Sequence, residues 1–283
     1  TRAPAQQVAV ATDDHVAEGC SDAAPAAWIA CQDFDAIDDP RLQLAEWLVF
    51  DDGFAIEPDR SHGAEAGDRV LRVTRAAHVS FGGWVTLRVG AGPEPAGRAE
   101  SVAAADRRFD ELWVRYRVRT DDDWGGDAPG DLGEVIAMDP ARWAIAAEVA
   151  IRSEAPALLE PLGWSCIDAE GRLGCDGRND WRGGLQRLWA RRGSTPWFDA
   201  THVGRWRCVE AFVRLDRPGL GDGEARVWVD GELQIAVTDI RFRGSWSAAG
   251  WNALRFTNHG EPSDRRLSFF VDDVVFATQR VGC

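Results

Sequence analysis

The sequence predicts an all-β protein, a sandwich of two antiparallel sheets. Three observations carry this. Short segments alternate apolar and polar residues with period two, the mark of strands with one buried side. Gly is abundant, 29 in 283 residues, and much of it falls between those segments where turns are needed. Helical periodicity is weak throughout, with one or two turns over Leu42–Leu48 as the only helix expected.

In chain order, the expected strands are Val70–Thr74, Trp84–Val89, Leu112–Arg119, Ala144–Arg152, Leu185–Arg191, Arg207–Leu215, Ala225–Val229, Leu233–Val237, Trp251–Thr257 and Ser268–Ala277. The clearest is Leu112-Trp113-Val114-Arg115-Tyr116-Arg117-Val118-Arg119, which places Leu112, Val114, Tyr116 and Val118 on one side and three arginines on the other. Asp230-Gly231 separates two alternating runs and predicts a hairpin, because a type I′ turn needs φ > 0 at both central residues. Residues 1–30 are rich in Ala, Pro and Gln and read as a tail; 31–283 read as one domain, with no linker dividing them and no repeat at a fixed period.

Composition excludes several functions. Acidic residues outnumber basic ones by 46 to 32, for a net charge of −14, which opposes nucleic-acid binding. Every basic residue is Arg, so Schiff-base, P-loop and kinase-lysine chemistry is ruled out. No uncharged run is long enough to span a bilayer. The start at Thr1 reads as a mature exported chain after loss of a signal peptide, secreted or held at the cell surface or in the periplasm. Six cysteines, an even number, suit three disulfides. Their separations favour Cys20–Cys31 and Cys166–Cys175, leaving Cys208 for Cys283; buried free thiols are the alternative.

The C-terminal third supports a resemblance. Gly204-Arg205-Trp206-Arg207-Cys208-Val209-Glu210 is followed by Arg217-Pro218-Gly219 and by Arg226-Val227-Trp228-Val229-Asp230-Gly231, and the chain closes on Asp272-Asp273-Val274-Val275. This resembles the secreted bacterial concanavalin A-like jelly rolls related to polysaccharide lyases and laminin-G-like modules, convincingly over 109–283 and by general pattern over 31–108. Trp124-Gly125-Gly126-Asp127-Ala128-Pro129-Gly130 keeps the glycines and proline of a stretch common in such proteins, with Asp127 where Lys is usual. The resemblance implies two curved sheets and a concave face that binds or cleaves polysaccharide.

Glycosidases of that fold carry paired carboxylates on one strand, spaced by alternation to flank the scissile bond. No such run occurs; Glu148 and Glu210 are single. Lyases need a base, commonly Tyr or His, with cationic or amide groups to neutralise a uronate. Tyr116 is the only Tyr, and alternation places it opposite Arg115, Arg117 and Arg119, where a core role is expected. His202 and His259 remain; His259, in a turn just after a strand, is the better candidate, with mere solvation as the alternative.

Arg115, Arg117 and Arg119 project from one face at intervals of roughly 6.6 Å. With Glu148 or Glu210 across the strands they form a structural ladder; with an acidic polysaccharide they form a site, since Arg matches carboxylates and sulfates bidentately. Trp124, Trp164, Trp181, Trp189 and Trp197 fall in or beside Gly- and Asp-rich loops and either stack on sugars or fill a small core; Trp124, Trp181 and Trp189 are the ones expected beside the arginines. Trp206 and Trp228 read as residues that determine the fold. The acid clusters at Asp33, Asp35, Asp272 and Asp273 suggest Ca²⁺, and the resemblance implies a structural ion that joins the first strand to the last, with solvated turn acids as the alternative. No other cofactor is implied. The sequence thus reads as a glycan-binding jelly roll without catalysis, with a β-eliminating lyase on uronate polymers as the first alternative and a structural or adhesive surface component as the second.

Overall fold

The computed structural model describes residues 20, 25–37, 46–49, 53–61, 64, 66–92, 102–124, 130–139, 145–154, 158–165, 186–243 and 248–283. They form sixteen strands in two antiparallel sheets. The strands are β1 Trp28–Gln32, β2 Glu46–Val49, β3 Phe54–Pro58, β4 Arg69–Arg75, β5 Gly83–Arg88, β6 Glu111–Thr120, β7 Gly130–Met138 and β8 Ile145–Glu154. After them come β9 Leu158–Leu159, β10 Leu162–Ser165, β11 Gln186–Ala190, β12 Arg207–Arg214, β13 Gly223–Val229, β14 Glu232–Ile240, β15 Gly250–Thr257 and β16 Leu267–Ala277. The first sheet runs β14-β13-β12-β6-β16-β4-β3, with β1 also on β16; the second runs β11-β10-β8-β7-β15-β5-β2, with β9 on β8. Among the described residues there is no helix. Over Leu42–Leu48 the described part, from Glu46 onward, is strand paired with β5, which corrects the helix expected there.

The core lies between the sheets, and alternation built it. Leu112, Val114, Tyr116 and Val118 of β6 face Val135 and Ala137 of β7 and Leu254 and Phe256 of β15 within one apolar cluster. Tyr116 fills the gap left by Gly133: a Cβ there would lie 2.6 Å from the Tyr116 hydroxyl, so the residue opposite the ring must lack a side chain. The hairpin at Asp230-Gly231 forms as expected, with φ of 48° and 79° at the two central residues. A bulge between Asp272 and Val275, with Asp273 at φ 48°, breaks the alternation of β16.

Cys20 is bonded to Cys31 and Cys208 to Cys283, as the separations suggested. Cys166 and Cys175 lie outside the described residues. The first bond ties residue 20 to β1. Because β1 itself opens at Trp28 and pairs with the last strand, residues 28–30 belong to the sheet and not to the tail.

Candidate active site

Side chains that leave the second sheet on the side away from the core are unusually charged for a surface so well covered. In β7 and β8 the core takes Val135, Ala137, Val149 and Ile151, which sends Glu134 and Glu148 to the other side. Register sets Arg255 of β15 beside Glu134, and Arg255 bonds both carboxylates, Glu148 at 3.2 Å. All three are buried. Burial works against the Arg255 charge, but Glu134 and Glu148 outweigh it and hold the guanidinium above its usual range. The same burial pushes the Glu134 carboxyl up. Trp84, on the same side of β5, lies with its ring 5.9 Å from the Arg255 guanidinium carbon.

One end of this face carries His259, in the turn after β15. Its Nδ1 donates to Asp131 Oδ2 at 2.7 Å, and Arg152 Nε lies 2.7 Å from the other Asp131 oxygen. Because a carboxylate only accepts, the proton sits on Nδ1 and leaves Nε2 as the basic nitrogen of the neutral ring. The hydrogen bond to Asp131 holds the imidazole above its usual value; burial opposes this, and the charges of Asp131 and Glu134 add to the rise. A narrow cleft beside the ring is lined by Arg75, Trp124, Asp131, Thr257 and His259. Asp131 is almost wholly buried, whereas the His259 side chain is 37% exposed. A rigidly oriented imidazole, open to water and ringed by arginines, can move a proton to or from an anionic substrate.

Comparison with family models and with curated protein sequences finds no match. Solved structures do match. An alginate lyase, vAL-1 from Chlorella virus, superposes with a TM-score of 0.58 at 12% identity, over 89% of this chain and 100% of that one. An endo-β-1,4-glucuronan lyase from Trichoderma reesei superposes with a TM-score of 0.56 at 12% identity, over 89% and 96%. The chain has the jelly-roll fold of these polysaccharide lyases. At such identity the likeness is one of fold, and each residue of this jelly roll must be judged on its own surroundings.

So judged, the residues singled out from sequence separate into three places. His259 stands on the second sheet. Arg115, Arg117 and Arg119 stand on the outer side of the first, so the jelly roll does not bring them to His259. There they are engaged, and Arg115, opposite the expected Glu210 in the register, lies within the field of Asp273 and Glu210. Arg117 pairs with Asp273 at 3.2 Å and Arg119 with Asp59 at 3.3 Å, while Arg115 is buried under the Trp28 ring. Glu148 belongs to the other sheet, and Glu210 is bound by Arg280 and the C-terminal backbone. The aromatic neighbours differ too: Arg119 lies between Phe270 and Trp206, whose indole donates to Asp59 and Ser61. Trp124 and Trp189 are not loop anchors beside the arginines but core residues; Trp124 packs edge-on against Phe269 below the His259 cleft. Trp181 lies outside the described residues.

Tyr116 takes the core role expected of it, which removes it as the base of the lyase alternative. It is fully buried between the sheets, its hydroxyl has no hydrogen-bond partner among the described residues, and burial pushes its pKa far up. His202 Nδ1 donates to Asp199 Oδ1, 2.7 Å away, in a loop next to Trp197. Asp33, Asp35, Asp272 and Asp273 do come together where β1 meets β16. Burial first, then Asp273, Asp35 and Asp33, push Asp272 up to about 8. Asp35 and Asp272 nevertheless spend oxygens on the backbone N–H groups of Arg69 and Asp273. Among the described residues no group of three or more His, Cys, Asp or Glu side chains is arranged to hold a metal ion. The residues missed from sequence are Asp131, Arg152, Glu134 and Arg255. Their partners lie on other strands, so no spacing along the chain announces them.

Proposed function

We propose that the protein is an extracellular lyase that cleaves uronate-containing polysaccharide by β-elimination, at the His259 end of the second sheet. The observation that carries this is the 2.7 Å bond from His259 to buried Asp131, on a jelly roll shared with an alginate and a glucuronan lyase. The two disulfides among the described residues fit an oxidising compartment. His259 Nε2 takes the proton on the carbon bearing the uronate carboxyl. The C–H electrons form the ring double bond as the bond to the neighbouring glycosidic oxygen breaks, and the imidazolium returns a proton to that oxygen. No water is consumed. Arg75 and Arg152, grouped around Asp131, lower the cost of the extra negative charge that develops on the carboxylate.

The test is to incubate the protein with alginate, glucuronan and pectate and follow absorbance of the unsaturated product. Product is expected from at least one, and His259→Ala should lower the rate by about 10²–10⁴-fold with an unchanged melting temperature. Asp131→Asn removes the charge that raises the His259 pKa, so the acidic limb of the rate profile should move to lower pH. Binding of all three polymers without product would return the chain to a glycan-binding role.

A further inference from the structure

The loop that joins β4 to β5 ends in Ser80-Phe81-Gly82, just before Gly83 opens β5, and it is stitched to the turn that holds His259. The Gly82 N–H donates to Asn258 Oδ1 at 2.6 Å, and Asn258 Nδ2 donates to the Thr74 carbonyl at 3.0 Å. The Gly260 N–H donates to the Ser80 carbonyl at 2.9 Å. Asn258 is buried. A Cβ on Gly82 would stand 2.6 Å from Asn258 Nδ2, so only glycine permits this closure. Gly83 follows at φ 147°, a value that side chains rarely allow.

This stitching fixes Phe81 next to the proton-transfer group. Its ring stands edge-on to the His259 imidazole at 6.2 Å and 5.7 Å from the Trp84 ring. Yet it is 36% exposed, one of three large hydrophobic residues so open among those described. The other two, Leu220 and Leu233, lie beyond β12 and beside the β13–β14 hairpin of the first sheet. Although it packs on the Trp84 and His259 rings, the phenyl ring keeps apolar surface open to water beside the proton-transfer group. Pyranose rings carry an apolar C–H face, and a ring of few rotamers loses little entropy on covering it. Arg255, beneath Trp84, is already taken by Glu134 and Glu148.

We propose that Phe81 and Trp84 form a sugar-stacking subsite adjoining His259, which takes the C–H face of the pyranose next to the bond cleaved. Because Arg255 is committed to two carboxylates, this subsite reads the ring face and not the acid group, and it accepts a neutral sugar as readily as a uronate. The proposal rests on the lyase reading only in using His259 to mark the bond.

The experiment titrates the full chain with a glucuronate tetramer and a glucose tetramer, by tryptophan fluorescence at low and high salt, and in parallel measures KM on glucuronan. Phe81→Ala should weaken binding of both tetramers about tenfold and raise KM by a similar factor, with equal loss at both salt levels. Phe81→Trp should restore binding, and Leu233→Ala on the other sheet should leave it unchanged. Unaltered Kd and KM in Phe81→Ala, alongside product from the unaltered chain, would overturn the subsite and leave the lyase standing. Weakened binding in Phe81→Ala, with no product from any polymer, would overturn the lyase and leave the subsite. Failure of the unaltered chain to bind either tetramer overturns the subsite outright.

Discussion

Breaking the Cys208–Cys283 bond should cost more than a tether, because the chain it pins covers a buried charge. Glu210 has no exposed side-chain surface. Its oxygens accept from Arg280 Nε at 3.0 Å and from the N–H groups of Val281 and Gly282 at 2.9 Å each. All three donors come from the segment between β16 and Cys283. The bond spans 75 residues, against 11 for Cys20–Cys31. Loop-closure entropy gives about 4.5 kcal/mol for the longer loop and about 2.8 for the shorter. Their difference, about 1.7 kcal/mol, depends on the ratio of lengths alone. Loss of order in the tail adds about 1–3 kcal/mol for a buried acceptor deprived of partners. The Cys208→Ser/Cys283→Ser variant should therefore lose about 5 kcal/mol or more of unfolding free energy, and Cys20→Ser/Cys31→Ser about 3. Urea titrations followed by tryptophan fluorescence, without reductant, measure both. If the Cys208/Cys283 variant unfolds at the same urea midpoint as the Cys20/Cys31 variant or a higher one, the reasoning about loop length and Glu210 is refuted.

The buried hydroxyl of Tyr116 makes Tyr116→Phe neutral or stabilising by up to about 1 kcal/mol, whereas Gly133→Ala drives a methyl into that ring and should cost about 1–3 kcal/mol; thermal melts decide both. Asp272, held up to about 8, binds a proton in the native state that the unfolded chain releases above about pH 4. Stability should then fall as pH rises between those values, by at most about 1.4 kcal/mol per unit, and Asp272→Asn should flatten the slope. His259 acts with the same sign near neutrality, so His259→Gln is the control. The same melts with added calcium at pH 8 address the cation proposal: binding raises the midpoint, and an unchanged midpoint rejects it. Arg117→Ala breaks a half-exposed pair and should cost no more than about 1 kcal/mol; since substrate is placed on the other sheet, polymer cleavage should be untouched. A loss of acidic-glycan binding that fades with salt would return the site to the first sheet.

Much of the fold was legible because alternation is a local property. The expected Leu112–Arg119 became Glu111–Thr120, and Trp251–Thr257 became Gly250–Thr257, each with its apolar side inward. Gly130–Met138 was not legible. All nine of its residues are buried, so it lies covered on both faces and shows no period-two contrast. The run that suggests one or two helical turns over Leu42–Leu48 is short enough to fit either period, and only pairing with β5 makes Glu46–Val49 a strand. His259 could be singled out by its turn after a strand, but its role depends on an aspartate 128 residues away.

The sequence by itself therefore carried which side most residues of the legible strands face, where the hairpin at Asp230-Gly231 turns, and a favoured pairing for the four described cysteines. Those are settled by neighbours along the chain and by loop length. Tertiary structure alone decided which charged groups share an outer face. It placed Arg119 against Asp59, 60 residues apart, and so engaged an arginine that alternation could only aim outward. It set Arg255 between Glu134 and Glu148, and it closed Gly82 onto Asn258, 176 residues apart, which brings Phe81 to His259. The physical reason is that strand period encodes a direction but not a partner: which charge or ring stands across the gap follows from strand order and register.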